Sequence, residues 1–200
     1  MNKKKYIIVG IIILAFAFIG VYFLCLKRDK IIKDNVKFSE EYETVTSDNV
    51  FVYKTSEEII NILKHGTGVV YLGFPECPWC KKYVTYLNEV AIKNGAEKIY
   101  YLNILNDRKN NTGDYKEIVN ILSDYLSYDD EGNKRVYVPA VIAVKDGKIV
   151  DFDDETSKDT KGYDSPDEYW KNEDLDGLKN KLSKMFDDTS LNVCTSDCNK

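Results

Sequence analysis

The chain has 200 residues, 44% of them apolar, with 28 basic against 33 acidic side chains and only 11 Gly and 4 Pro. That composition excludes collagen-like, low-complexity and wholly disordered chains and leaves one compact domain as the expectation. The net charge of −5 is uneven, because residues 1–33 hold seven basic side chains against Asp29, a local +6, so the other 167 residues carry −11. An acidic body offers no basic face to phosphates, which argues against nucleic acid as a partner.

Residues 6–26 (YIIVGIIILAFAFIGVYFLCL) carry no charge over 21 positions. As a helix rising about 1.5 Å per residue they are long enough to cross a hydrocarbon core of about 30 Å. Lys3, Lys4 and Lys5 precede the run, it exceeds the core of a cleaved signal, and no small-x-small site closes it. Residues 1–26 are therefore expected to form an uncleaved signal anchor with a single transmembrane helix. Cys25 follows Leu24, where a lipid-attachment motif needs a small residue, so it reads as an inert buried thiol. Basic residues flank the run on both sides and their count decides little about orientation. The long polar part that follows, with its cysteines, points to a single-pass cell-membrane protein with its domain on the extracytoplasmic side. Residues 27–47, charged and without a clear period, read as a tether.

A domain over 48–188 is expected next. Residues 49–54 alternate as a short strand. Thr55 with Glu58 three positions on forms a capping box before Ile59, Ile60, Ile62 and Leu63, and the helix closes at His65-Gly66. There Gly66 is expected in the left-handed conformation and His65 as a helix-end residue. Residues 69–74 (VVYLGF) suit a strand covered on both faces. After Cys77-Pro78-Trp79-Cys80, the residues Tyr83, Val84, Leu87, Val90 and Ala91 share a helical face up to Asn94-Gly95. Residues 99–105 read as a strand, 107–113 as a polar loop, 114–127 as a helix and 129–134 as a turn. The strands 136–144 and 148–152 are joined by Asp146-Gly147, a strong hairpin signal. Residues 151–176, with eleven acidic side chains in 26, read as a solvated loop that lacks calcium-loop spacing. Residues 175–186 form a last amphipathic helix, and 189–200 a polar tail. In this order a βαβ half meets a ββα half in an α/β sandwich.

The chemistry concentrates on Cys77 and Cys80, which directly follow a buried-type strand at the first turn of a helix, the context of a redox pair. A thiol at a helix start meets unpaired N–H groups and the positive end of the dipole. Cys77 is thus expected as an exposed nucleophile ionising below the free value of about 8.5. Pro78 suits the first helical position. Cys80, one turn in and more buried, is placed to attack a mixed disulfide on Cys77 and release the client. Val138-Pro139 precedes a strand, denies it a ladder hydrogen bond and marks a candidate cis peptide. A zinc site lacks ligands, since only His65, Cys194 and Cys198 remain in the exported part, so neither metal nor cofactor is expected. Cys194 and Cys198 are read as a small tail disulfide across a turn, with a second redox pair, free thiols or a metal as alternatives. No Gly-rich phosphate loop or Ser/His/Asp set supports a kinase, dinucleotide or hydrolase reading.

The stretches VVYLGFPECPWCKKY and YVPAVIAVKDGKIV, in this element order, resemble the thioredoxin superfamily over roughly 48–188. The chain looks closest to bacterial thioredoxin-like proteins of the bacteriocin transport accessory group. The resemblance implies a thioredoxin-like α/β fold, a central mixed sheet flanked by helices. It further implies Cys77 and Cys80 as the dithiol/disulfide pair, Pro139 as the cis-proline beside them and the Val138 backbone as the strand that pairs with an extended substrate. Two departures stand out. Tyr71 occupies the place of a buried Asp, leaving Glu76, water, Lys81 or Lys82 to take the proton of the resolving thiol. Residues 106–135 lengthen the stretch between Cys80 and Pro139, with room for a lid or a partner-binding surface. Trp79 is expected as an exposed apolar contact for substrate. The expected function is a membrane-tethered extracytoplasmic thiol-disulfide oxidoreductase acting on exported protein or peptide thiols and disulfides, recharged by a separate redox partner. The alternative is an accessory or binding module for peptide or bacteriocin export without redox turnover.

Overall fold

The structure, a computed structural model, describes residues 3–158, 162–163 and 165–189, with backbone alone for part of 3–25 and for residue 158. Its elements in chain order are α1 (Lys3–Glu41), β1 (Phe51–Tyr53), α2 (Ser56–His65), β2 (Gly68–Gly73), α3 (Pro78–Lys93), β3 (Ile99–Asn103), α4 (Leu105–Asn110), α5 (Gly113–Ile121), β4 (Ala140–Lys145), β5 (Lys148–Asp153), α6 (Glu155–Lys158), α7 (Pro166–Asn172) and α8 (Leu175–Thr189). The strands form one mixed sheet in the order β1-β3-β2-β4-β5, flanked by helices. β1, β3 and β2 run parallel, whereas β4 is antiparallel to both β2 and β5. In the central strand β2, Val69, Val70, Tyr71 and Leu72 are all buried, as a strand covered on both faces requires.

Local signals account for several elements. The Glu58 N–H donates to Thr55 Oγ1 at 3.2 Å and the Thr55 N–H to Glu58 Oε2 at 3.0 Å, a complete capping box. The β4–β5 hairpin turns at Asp146 (φ 50°) and Gly147 (φ 71°), a pair of left-handed residues that matches strand twist. The Gly147 N–H donates to Gly66 O at 2.9 Å, which docks the hairpin on the end of α2. Gly66 itself is extended (φ −96°), not left-handed as expected. Glycine stands there for space, because a Cβ would lie 2.9 Å from the Ile62 backbone.

Other expectations are corrected by tertiary packing. The expected tether 27–47 continues α1 as far as Glu41, and Phe38, Tyr42 and Val45 are buried in the main core. The Phe38 ring stacks on Phe51 at 3.9 Å and on Tyr42 at 4.6 Å, so the domain begins within α1, before residue 48. The expected loop 107–113 contains most of α4, which ends at the left-handed Asn111. The helix expected over 114–127 stops at Ile121. The strand expected from 136 starts at Ala140, because the chain first passes the cis Val138–Pro139 bond. The acidic stretch 151–176 is more than a solvated loop: it holds α6 and α7 and buries Asp153, Asp154, Tyr169 and Trp170. The Tyr83 hydroxyl donates to Asp153 Oδ2 at 2.5 Å and Lys181 pairs with Asp153 Oδ1 at 2.6 Å, which satisfies the buried carboxylate.

Judged on the described side chains, no helix is long and apolar enough to cross a membrane. The α1 backbone nevertheless runs unbroken through 6–26 into the domain, and the membrane expectation rests on the sequence. The Cys25 side chain lies outside the described residues, as do Cys194 and Cys198 in the tail.

Candidate functional site

Strand β2 ends at Gly73, and the Cys77 N–H closes a turn by donating to Phe74 O at 3.1 Å. Cys77 is the N-cap of α3, with Pro78 in its first turn, a position where no N–H is wasted. The Cys80 N–H donates to Cys77 Sγ at 3.3 Å, so the sulfur does the work of a capping oxygen. On its other side Cys77 Sγ meets the Val138 carbonyl at 3.8 Å, directly before the cis peptide to Pro139. Cys77, Cys80, Val138 and Pro139 thus converge from two segments about sixty residues apart in sequence. Both cysteines are unbonded thiols.

The two sulfurs differ in environment. The Cys77 thiol is lowered to about 7, first by its hydrogen bond with the Cys80 thiol, against burial that raises it, then by the Cys80 and Trp79 N–H groups and the Arg108 charge. Burial pushes the Cys80 thiol well above its ordinary value, and the neighbouring Cys77 adds to that. Cys77 is less exposed than expected: 7% of its surface is open and Cys80 has none. The Val138 carbonyl and the start of α3 close over it.

Trp79 is half-buried against the core, and its Nε1 is buried without a partner, which corrects the expectation of an exposed contact. Glu76, Lys81 and Lys82 are exposed while Cys80 is sealed, so these three are poorly placed to receive its proton. Around Cys80 the Phe74 backbone and then Tyr71 favour the thiolate, against burial and Cys77. The Tyr71 ring lies over Gly73, where a Cβ would collide with it, and stacks against Tyr83 at 6.3 Å and Tyr101 at 5.6 Å. The Tyr71 hydroxyl is buried, falls short of a formed hydrogen bond with any group, and favours the Cys80 thiolate. Tyr71 was legible in the sequence as a departure, without its direction.

Arg108 of α4 was missed. Its guanidinium lies 4.8 Å from the centre of the Phe74 ring and donates to Val136 O at 3.4 Å, bringing a positive charge to bear on Cys77. No local pattern announces a residue that reaches the site from a stretch with no apolar face. Chemically, the arrangement offers one thiol that ionises near neutrality and a second, protonated one within reach of it. Comparison with protein-family profiles, curated proteins and solved structures finds no match to the chain.

Proposed function

We propose that this protein is a thioredoxin-like thiol-disulfide oxidoreductase, anchored by a membrane span over 6–26, that acts on exported protein or peptide clients outside the cytoplasm. The observation that carries the reading is Cys77 Sγ at the start of α3, 3.3 Å from the Cys80 N–H and 3.8 Å from the Val138 carbonyl. The strand order β1-β3-β2-β4-β5, with β4 and β5 antiparallel, supports the thioredoxin-like comparison.

In the reducing direction the Cys77 thiolate attacks a client disulfide. A Cys77–client bond forms, the client S–S bond breaks, and the departing client thiolate takes a proton from water. Cys80 then loses its proton and attacks Cys77 Sγ, forming the Cys77–Cys80 disulfide and expelling the second client thiolate. The client gains two electrons and the dithiol loses two; the reverse sequence oxidises a client dithiol. Val138 offers its backbone to an extended client chain.

The close cover on Cys77 favours a second reading, an accessory module without turnover. Alkylation of the reduced full chain separates the two. Iodoacetamide is expected to modify Cys77 with a rate half-maximal near pH 7, leaving Cys80 unmodified. Cys80→Ser is expected to accumulate mixed disulfides with clients. A Cys77 that stays inert at pH 8 in the folded protein would sink the oxidoreductase.

A further inference from the structure

The segment 105–135 lines an open cavity of about 690 Å³ whose walls carry Arg108, Lys109, Lys116, Lys134 and Arg135 against Asp129 and Glu131. This cationic concavity sits in a chain of net charge −5. Asp129 Oδ1 is already taken by the N–H groups of Glu131 and Asn133, at 3.1 and 2.8 Å. Lys134 is also committed, donating to Leu126 O at 2.7 Å with its ammonium 4.1 Å from the centre of the Tyr128 ring. Arg108 likewise donates to Val136 O at 3.4 Å and lies over the Phe74 ring, and the Arg135 guanidinium is 5.6 Å from the centre of the Tyr137 ring. Among the described residues neither has a carboxylate partner.

The two guanidiniums repel each other. The Arg108 pKa is lowered, by burial first and by the Arg135 charge next. Among the described residues the buried Arg135 Nε has no acceptor. Holding two like charges together and leaving a buried donor unused both cost free energy. An anion bound in the cavity offsets the repulsion, and a guanidinium fork fits a carboxylate through two parallel hydrogen bonds. Neither cysteine lines the cavity, but Arg108 links it to the redox pair: it donates to Val136 O, two residues before the carbonyl that touches Cys77, and its charge acts on Cys77.

We infer that this cavity is an anion subsite, centred on Arg108 and Arg135, for a carboxylate carried by the thiol or disulfide substrate. The inference rests on the oxidoreductase reading for its choice of substrate. Along an extended client chain, advancing about 3.3 Å per residue, the carboxylate belongs to an Asp or Glu within a few residues of the attacked cysteine. A small thiol bearing carboxylates, of the glutathione type, presents the same chemistry.

The test uses the full chain in detergent. Peptides with one cysteine activated as the 2-thiopyridyl disulfide carry Glu, Gln or Lys two residues away, and release of thiopyridone is followed at low ionic strength. The Glu peptide is expected to react about tenfold faster than the Gln peptide and the Lys peptide more slowly still. Arg135→Gln is expected to remove that preference, so that the Glu and Gln peptides react at the same rate. Glutathione disulfide against cystamine is the small-thiol arm. A charge preference confined to either arm upholds the subsite and identifies its source. Equal rates across both arms in the wild type, or a preference untouched by Arg135→Gln, overturn it. Peptides with Ser in place of Cys, titrated against the Cys77→Ser/Cys80→Ser chain by fluorescence anisotropy, separate the two claims. Tighter binding of the Glu peptide that depends on Arg135, with no exchange by the wild type, upholds the subsite and sinks the oxidoreductase. Exchange without charge preference, with Glu and Gln peptides binding alike, does the reverse.

Discussion

Cys80 must lose a proton before it can attack, and it sits where water does not reach. At the residue scale two groups favour its thiolate, the Phe74 backbone first and then Tyr71, whose buried hydroxyl has no formed hydrogen bond among the described residues. Keeping a hydroxyl buried and unpaired costs about 1–3 kcal/mol, so Tyr71→Phe should leave stability unchanged or slightly raised. The same substitution removes a donor to a developing thiolate, a hydrogen bond to charge worth about 1.5–3 kcal/mol. Collapse of the mixed disulfide should slow by about tenfold or more, and the pH at which it is half-maximal should rise. Stopped-flow of that step, together with a urea titration, checks both signs. Loss of stability with unchanged collapse would make Tyr71 a packing residue only.

At the element scale the end of α1 belongs to the domain it was expected merely to tether. Phe38 lies between Phe51, Tyr42 and Tyr101, Asp34 Oδ2 accepts from the Tyr53 N–H at 3.2 Å, and the Asn35 carbonyl accepts from Asn49 Nδ2 at 2.8 Å. Phe38→Ala should cost about 3–5 kcal/mol in urea unfolding, as a buried aromatic truncation does. Deleting 1–33 should preserve the fold and deleting 1–47 should abolish it; equal stability of the two would restore the tether. The Thr55 box, the Asp146-Gly147 turn and the CPWC helix start were legible because each is specified within a few neighbouring residues. Phe38, Tyr42 and Val45 do keep a helical spacing, but the charges among them read as solvated chain. Trp170 gains burial against α3 residues eighty and more positions away, its ring 6.3 Å from Tyr83 and 5.3 Å from Tyr86. The Arg108–Arg135 pair is likewise a product of folding, since nothing in either residue's surroundings predicts the other.

At the scale of the whole molecule, the unbroken α1 changes what a membrane anchor would do. Its 39 residues extend about 58 Å at about 1.5 Å per residue. With 6–26 in the bilayer, residues 27–41 form a helical stalk of about 22 Å whose end is packed into the core. Lys27, Arg28, Lys30 and Lys33 would then lie within the first two turns beyond the span, where anionic headgroups attract them and repel the acidic body. Under the proposed anchoring both forces would hold the domain upright and keep Cys77 at a fixed height above the membrane, unlike a site on a flexible coil. The geometry is testable with a dye on Lys148→Cys in a chain whose five native cysteines are serine, and an acceptor in the lipid surface. Energy transfer in vesicles should report one narrow distance for the native stalk. Eight Gly-Ser residues inserted after Lys33 should broaden it without unfolding the domain, since the Asp34, Asn35 and Phe38 contacts remain. A native distribution as broad as the insert's would mean that the stalk bends, and a chain that never partitions into vesicles would remove the span itself.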